Sequence, residues 1–337
     1  MLHVLKTQIS KHAPILLGAA FCTLIACTSA CRRGGTPEWK ASQETTSSPA
    51  SSPPAHPAPV SIPGEGFRFM SYNVKNWLTM ERGESRSRRK AAPKPEGEKT
   101  VVISVIAKTA PDILGLCEIG TPEDLAEIQS RLRATGLDLP YSAFASGTDP
   151  QRRLGLLSRF PITATATPQQ TGYELEGKIL ALNRGILDAT VEAGGKSYRF
   201  IGVHLKSRLE VEDGPQDQMR LHEAKLIRAH LESVFRQTPD ARLIVYGDFN
   251  DTRNTNTVKI LTGDFNATDH LLPVPAKDAH GETWTHHWAV ADVYSRIDFI
   301  TVSRALKAET DFPASQVVDV PGWREGSDHR PVLARFR

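Results

Sequence analysis

Apolar residues recur along this chain with two periods. Between Phe67 and Val74 (FRFMSYNV), Phe67, Phe69, Ser71 and Asn73 fall on one face and Arg68, Met70, Tyr72 and Val74 on the other, which predicts a strand ending at Asn73. Residues 78–96 are polar. Val102, Ile103, Val105 and Ile106 then show helical spacing over 99–109, stopped near Pro111, and the run ILGLCEI at 113–119 predicts a buried strand. Thr121 followed by Asp124 reads as a capping box opening a second helix with Leu125, Ile128 and Leu132 on its apolar face. Strands are predicted at 141–145, 154–157, 184–191 and 197–204, a long amphipathic helix at 217–235, and further strands from Leu243, over 294–302, and at the C-terminus after Asp328 and His329. Strands and helices alternate early and successive strands follow, which predicts sheets covered by helices rather than a helical bundle.

Polar residues that interrupt the apolar runs supply the candidate chemistry. LIVYGDFND at 243–251 is the central stretch: Asp248 and Asn250 stand two apart, so on an extended backbone they share a face while Phe249 packs behind. A carboxylate and an amide at a strand's carboxyl end suit a phosphate ester. Glu118 ends another apolar run, where an unpaired carboxylate is costly; a metal ion or an ion pair would offset that cost. His204 and Lys206 come out on one face of FIGVHLK, with a hydrogen-bonded core histidine as the bland alternative for His204. GDFN recurs at 263–266 without a preceding apolar strand, and this copy reads as coincidence. His286 and His287 are adjacent and make a poor chelating pair; Trp284 and Trp288 suit rim packing or stacking on a base or sugar. Arg152 and Arg153, and the basic loop with Arg82, Arg86, Arg88, Arg89 and Lys90, either contact phosphate or are solvated surface.

Composition narrows the folded part. Residues 1–33 have Lys6 and Lys11 before an apolar stretch from Ile15 to Ala26, short for a membrane span, which reads as an export signal. LIAC at 24–27 resembles a bacterial lipobox, with Cys27 as the lipidated residue and the protein anchored to a membrane in the periplasm or on the cell surface; the alternative is an ordinary cleaved signal ending near Ala30 and a secreted protein. Residues 34–64, rich in Pro and Ser, read as a disordered linker, and 65–337 as one folded domain, expected to be monomeric. The net charge of +3 lies entirely in residues 1–64, where Lys6, Lys11, Arg32, Arg33 and Lys40 oppose Glu38 and Glu44, so the domain is formally neutral. It therefore lacks an overall pull on polyanions, although a local patch is possible. Of the four cysteines only Cys117 lies in the domain, which excludes a disulfide framework or a cysteine zinc cluster there.

Six motifs in order, SYN (71–73), Glu118 after PDILGL, GVHLKS (202–207), GDFND (247–251), SRIDFI (295–300) and GSDHRPV (326–332), resemble the endonuclease/exonuclease/phosphatase superfamily, the group of pancreatic deoxyribonuclease. The resemblance implies a four-layer α/β sandwich, two packed, mostly antiparallel sheets with helices outside. It implies that Asn73 and Glu118 hold a divalent cation with Asp328 nearby, usually Mg2+, with Mn2+ or Ca2+ possible. By the same resemblance Asp248 orients or deprotonates the attacking water, Asn250 binds a phosphate oxygen, His329 oriented by Asp298 acts on the scissile phosphate or as general base, and His204 is a candidate general acid. From the residues themselves, Arg153 and Lys206 are candidate substrate contacts. His204 stands where abasic-site endonucleases commonly carry tyrosine, so a repair role is not implied. The expected function is an exported phosphodiesterase acting on nucleic acid. A phospholipid, inositol-phosphate or sugar-phosphate phosphoesterase is the alternative, and a non-catalytic surface binding module is the alternative of another class.

Overall fold

The computed structural model describes residues 66–83, 89–209 and 214–337. The leader with Cys27, the linker, and Arg86 and Arg88 of the basic loop lie outside the described residues. In chain order come β1 (Phe67–Trp77), the hairpin β2 (Met80–Arg82) and β3 (Lys90–Ala92), α1 (Glu96–Thr109), β4 (Ile113–Ile119), α2 (Pro122–Ala134), β5 (Tyr141–Ala145), β6 (Arg153–Ser158) and β7 (Ile162–Thr165). A second hairpin, β8 (Gly172–Leu175) and β9 (Lys178–Ala181), leads to β10 (Ile186–Ala193), β11 (Lys196–His204), α3 (Gln216–Gln237) and β12 (Leu243–Asp248). The remainder is α4 (Asn256–Thr262), β13 (Leu272–Pro273), the hairpin β14 (His286–Trp288) and β15 (Val293–Ser295), β16 (Asp298–Val302), β17 (Thr310–Val317) and β18 (Val332–Phe336).

Local chemistry explains the boundaries. Thr121 and Asp124 form the capping box that opens α2. Helix α1 begins at Glu96, three residues ahead of the apolar spacing, because Pro95 precedes it and Glu96 and Glu98 suit the positive end of the helix dipole. The predicted strand over 294–302 is two strands in different sheets: the Thr285 hydroxyl accepts from both Ile297 N and Asp298 N at 3.1 Å, and the chain changes partners there. The hairpins β2/β3 and β8/β9 are short and carry no clear alternation, so the apolar pattern did not announce them.

Two six-stranded sheets form, in the orders β17-β18-β1-β4-β6-β5 and β13-β16-β12-β11-β10-β7. Each is antiparallel except at its centre, where β1 pairs parallel with β4 and β11 pairs parallel with β12. Those pairs need crossovers, supplied by α1 and α3. Three apolar layers follow. Phe69, Phe200 and Tyr246 pack between the sheets; Met70, Leu116, Ile106 and Ile128 lie between the first sheet and α1/α2; Val203, Val245, Ile227 and Leu261 lie between the second sheet and α3/α4. The result is the four-layer α/β sandwich. Among the described residues no helix is long and apolar enough to cross a membrane.

The sheets are held close where the parallel pairs face one another. A Cβ at Gly115 of β4 would lie 2.1 Å from the Tyr246 ring, and one at Gly202 of β11 would lie 2.7 Å from its hydroxyl, so two glycines make the slot that this buried ring fills. Gly115→Ala is expected to destabilise the domain by about 1–3 kcal/mol through overpacking, read as a lower denaturant midpoint at unchanged slope. An unaltered midpoint would show that the ring moves aside freely.

Candidate active site

Strand parity aims the site. On β1 the intersheet face continues from Phe67 and Phe69 through Ser71 to Asn73; on β11 it runs from Tyr198 and Phe200 to His204, and on β12 from Ile244 and Tyr246 to Asp248. Register places His204 opposite Asp248 across the parallel pair and Asp298 opposite Asp248 across the antiparallel one. All four side chains therefore reach the same edge of the sandwich. Glu118 would miss it by parity, because Leu114 and Leu116 face the helices. A register shift between Cys117 and Ile119, with Glu118 at φ +68, re-aims it, the role a β-bulge plays beside active sites. Its Oε2 accepts from Asn76 N at 2.8 Å, in a second bulge that follows Asn73.

The groups meet through Asn73. Its Nδ2 donates to Glu118 Oε1 at 3.3 Å and to Asp248 Oδ2 at 3.1 Å, while its Oδ1 accepts from Lys75 N at 3.0 Å. His204 Nε2 lies 3.6 Å from Asp248 Oδ2 and 4.0 Å from Glu118 Oε1. His329 Nδ1 meets Asp298 Oδ2 at 2.8 Å and turns Nε2 toward Asp248 Oδ2 at 3.8 Å. The Ser327 hydroxyl donates to Asn73 O and accepts from His329 N, tying the loop before β18 to the end of β1.

Burial and neighbouring charge set the protonation states. Burial, then the Asp298 charge, push Asp248 up to about 7, against the pull of His329 and the Asn250 N–H. His329 is the reverse case: burial disfavours its charge, but the Asp298 charge and hydrogen bond, with Asp248 and Asp328, raise it to about 10, so it is an imidazolium at neutral pH. Burial, then Arg184, His329, Arg152 and Lys206, hold His204 well below the usual histidine range. His204 is thus held toward its neutral form, in which the ring can donate one hydrogen bond and accept another.

Several expected roles change in detail. Asp248 and Asn250 do not share a strand face, because β12 ends at Asp248 and Asn250 adopts φ +49. The Asp248 carboxylate instead accepts from Asn250 N at 2.8 Å, an Asx turn, and Asn250 Nδ2 donates to Leu205 O at 2.9 Å. Gly247, at φ +129, precedes that turn; a Cβ there would sit 2.0 Å from Val203 O. Arg153 is a brace, its guanidinium donating to the carbonyls of Gly120, Pro150 and Gln151, whereas Arg152 Nε lies 3.9 Å from Glu118 Oε2. Lys206 is buried, its N–H donating to Glu223 Oε2 at 2.6 Å. Arg82 donates to the carbonyls of Asn76, Leu78 and Ala92, so its guanidinium braces the β2/β3 hairpin. The second GDFN copy forms the same Asx turn, Asn266 N to Asp264 Oδ1 at 3.0 Å, but on an exposed loop after α4.

Asn73 and Glu118, the expected cation ligands, lie side by side, with the Asp248 carboxylate on the other hydrogen bond of the Asn73 amide. Asp328 is half-buried, and its charge acts on Tyr72, His286 and His329. The Glu118 carboxylate and the Asn73 amide are hard oxygen donors once the amide turns its oxygen inward, and they fit a divalent cation of the magnesium type. Ligating atoms of Asp248, Asp298 and His329 also lie within 4.8 Å of one another, but the 2.8 Å hydrogen bond between the last two makes them a dyad facing Asp248.

Two supporting residues, Thr285 and Arg330, were not singled out in the sequence, and His286 was set aside there as a chelator. Thr285 fixes the backbone at Asp298 through the paired bonds already described. Arg330, beside His329, is buried, bonds Asp278 Oδ2 at 2.6 Å and Trp284 O, and lies 3.5 Å over the Trp284 ring. His286 pairs with His329 in an isolated bridge, their rings 4.5 Å apart. A buried cation at Arg330, inside GSDHRPV, was the one available signal. Trp284 packs against Tyr294 and Trp323 on the rim, and Trp288 is half exposed.

Two helix-covered sheets that deliver acids and histidines to one shared edge are the architecture of the DNase I-like phosphoesterases. The chain belongs to the endonuclease/exonuclease/phosphatase family, which it matches over residues 70–329, and like the members of that family it is a metal-dependent phosphoric ester hydrolase. Solved structures with the same fold include the human Nocturnin catalytic domain with bound sulfate (20% identity, TM-score 0.55, 81% of this chain and 94% of that one). Sphingomyelinase C from Streptomyces griseocarneus (16%, 0.53, 81% and 99%) and the 3′ phosphatase NExo from Neisseria bound to a product DNA hairpin (18%, 0.55, 80% and 99%) are also similar. No curated protein sequence matches the chain.

Two substitutions test the assignments. Asp298→Asn removes the charge that holds the His329 proton, so the alkaline limb of the pH–rate profile should move to lower pH and kcat should fall about 10²-fold or more. An unmoved limb would free His329 from this role. Asp248→Asn should abolish hydrolysis of a small chromogenic phosphodiester, whereas Asp264→Asn, in the exposed copy, should retain it; loss in the second variant would overturn the choice between the two copies.

Proposed function

We propose that the protein is an exported, Mg2+-dependent phosphodiesterase that hydrolyses nucleic acid by water attack at phosphorus, anchored through Cys27. The observation that carries this reading is the pairing of a neutral-range carboxyl, Asp248, with a cationic histidine, His329, at a cleft edge lined by further cations. Arg152, Arg184 and Lys206 lie close enough to His204 to depress it, so cations stand beside the carboxylates of this edge, where a phosphate would dock. Asp248, titrating near 7, accepts the proton of the attacking water as the new O–P bond forms. The His329 imidazolium, fixed by Asp298, stabilises charge on the phosphate oxygens as the bond to the leaving oxygen breaks. Neutral His204 and the Asn250 amide orient oxygens by hydrogen bonding. Glu118 and Asn73 would hold a divalent cation, magnesium with manganese or calcium as substitutes, which would supply further positive charge to the developing transition state.

A second reading is a phospholipid phosphoesterase. It is favoured by the β14/β15 hairpin, which exposes Trp288 (49%) and Val290 (87%) next to the site and would suit an ester carrying apolar chains.

Purified protein should cleave DNA or RNA with Mg2+ and lose that activity in chelator. Cleavage restricted to a choline phospholipid would move the substrate to the second reading and leave the site in place. Cleavage undiminished by chelator would remove the cation from the account.

A further inference from the structure

The second GDFN copy builds something other than a catalytic turn. Its Asx turn turns Phe265 outward, 71% exposed, and the chain around it is pinned: Arg304 Nη2 donates to Phe265 O at 2.6 Å and its Nε to Ala267 O at 3.1 Å. The ring packs edge-on against His270, centroids 5.4 Å apart, and His270 Nδ1 is fixed on Gly263 O at 3.0 Å. Phe265 stands at a cleft of about 510 Å³ between α4, β13 and β17, whose lining includes Arg253, Lys259 and Lys307 and holds no carboxylate. Exposing a large aromatic costs solvation free energy, and three cations line the cleft beside it with no carboxylate among the lining; an anionic ligand with a flat π-face would satisfy both.

The cleft is continuous with the catalytic edge along the chain. Arg253 follows Asn250 by three residues, a reach of at most about 11 Å. Its charge also acts on Arg296, whose Nε donates to Asp298 O at 3.1 Å.

We propose that this cleft is a second binding site that takes the single strand of a nucleic-acid substrate leaving the catalytic edge, with a base stacked on Phe265 and phosphates on Arg253, Lys259 and Lys307. Charge complementarity argues for a phosphate backbone. A flat exposed ring argues for an unpaired base, since a paired one is already stacked on both faces. The assignment rests on the nucleic-acid reading of the active site and adds to it a preference for longer strands.

Fluorescence anisotropy of the full-length protein in EDTA, with a labelled 12-nucleotide single strand and a labelled dinucleotide, tests it. The parent should bind the longer strand more tightly, and Phe265→Ala should reduce that advantage about tenfold, the scale of one stacked base. Lys259→Gln with Lys307→Gln should lower the slope of log affinity against log salt by about 1.4, two released counterions on a single strand. Phe265 is exposed, so its truncation should leave thermal unfolding unchanged, which separates lost binding from lost folding. Unaltered affinity and salt slope in both variants, in a protein that cleaves nucleic acid, would overturn the cleft assignment alone. A parent that binds neither strand but hydrolyses a lipid or a monoester would overturn both the nucleic-acid reading and the cleft.

Discussion

Parallel pairing at the centre of each sheet is the constraint on which the rest of the molecule depends. Two parallel strands end on the same side, so β1 with β4 and β11 with β12 carry Asn73, Glu118, His204 and Asp248 to one edge without long loops. Antiparallel neighbours then add groups at their other ends: Asp298 begins β16, and Asp328 and His329 precede β18. Tyr246, seated against Gly115 and Gly202, keeps the two pairs close enough for their ends to touch. Strands buried on both faces need apolar residues almost throughout, which is why the polar positions at their ends stand out.

Putting charges at a buried edge is costly, and the structure offsets that cost by pairing. Asp298 would be an isolated buried carboxylate without His329, and His329 would be neutral without Asp298. Burial, with the Asp298 charge beside it, leaves Asp248 hard to ionise and titrating in the range useful to a base. The same electrostatics separate the two histidines. Burial, with Arg184, His329, Arg152 and Lys206 around it, keeps His204 toward its neutral form despite Asp248 and Glu118 nearby; hydrogen-bonded to Asp298 and facing Asp248 and Asp328, His329 is charged. Residues of one type thus take different parts according to what surrounds them.

Much of this was legible in the chain. ILGLCEI and YSAFA predict β4 and β5 with the observed bounds, and period-two parity along FRFMSYN and FIGVH aims Asn73 and His204 correctly. What escaped the pattern has physical reasons. Glu118 reaches the site through a bulge, which a strict alternation cannot express. Asn250 turns back through a left-handed conformation instead of continuing the strand. Arg153 spends its guanidinium on carbonyls that are invisible in sequence, and the protonation of His204 depends on its burial and on Arg184 and Arg152, which come from loops distant in sequence. The two GDFN copies show the limit plainly: identical spelling makes the same Asx hydrogen bond, but only the first copy follows a strand into a buried site and turns its Asn into a left-handed conformation.

The measurement that tests the account most directly is anomalous diffraction from crystals grown with Mn2+ and inorganic phosphate. The account predicts manganese on Glu118 and the Asn73 amide oxygen, with phosphate between it and His329 Nε2 and Asn250 within hydrogen-bonding distance. Manganese seated on Asp248, Asp298 and His329, with the histidine–carboxylate hydrogen bond broken, would contradict it, because the proposed charge partner of the phosphate would then be a metal ligand.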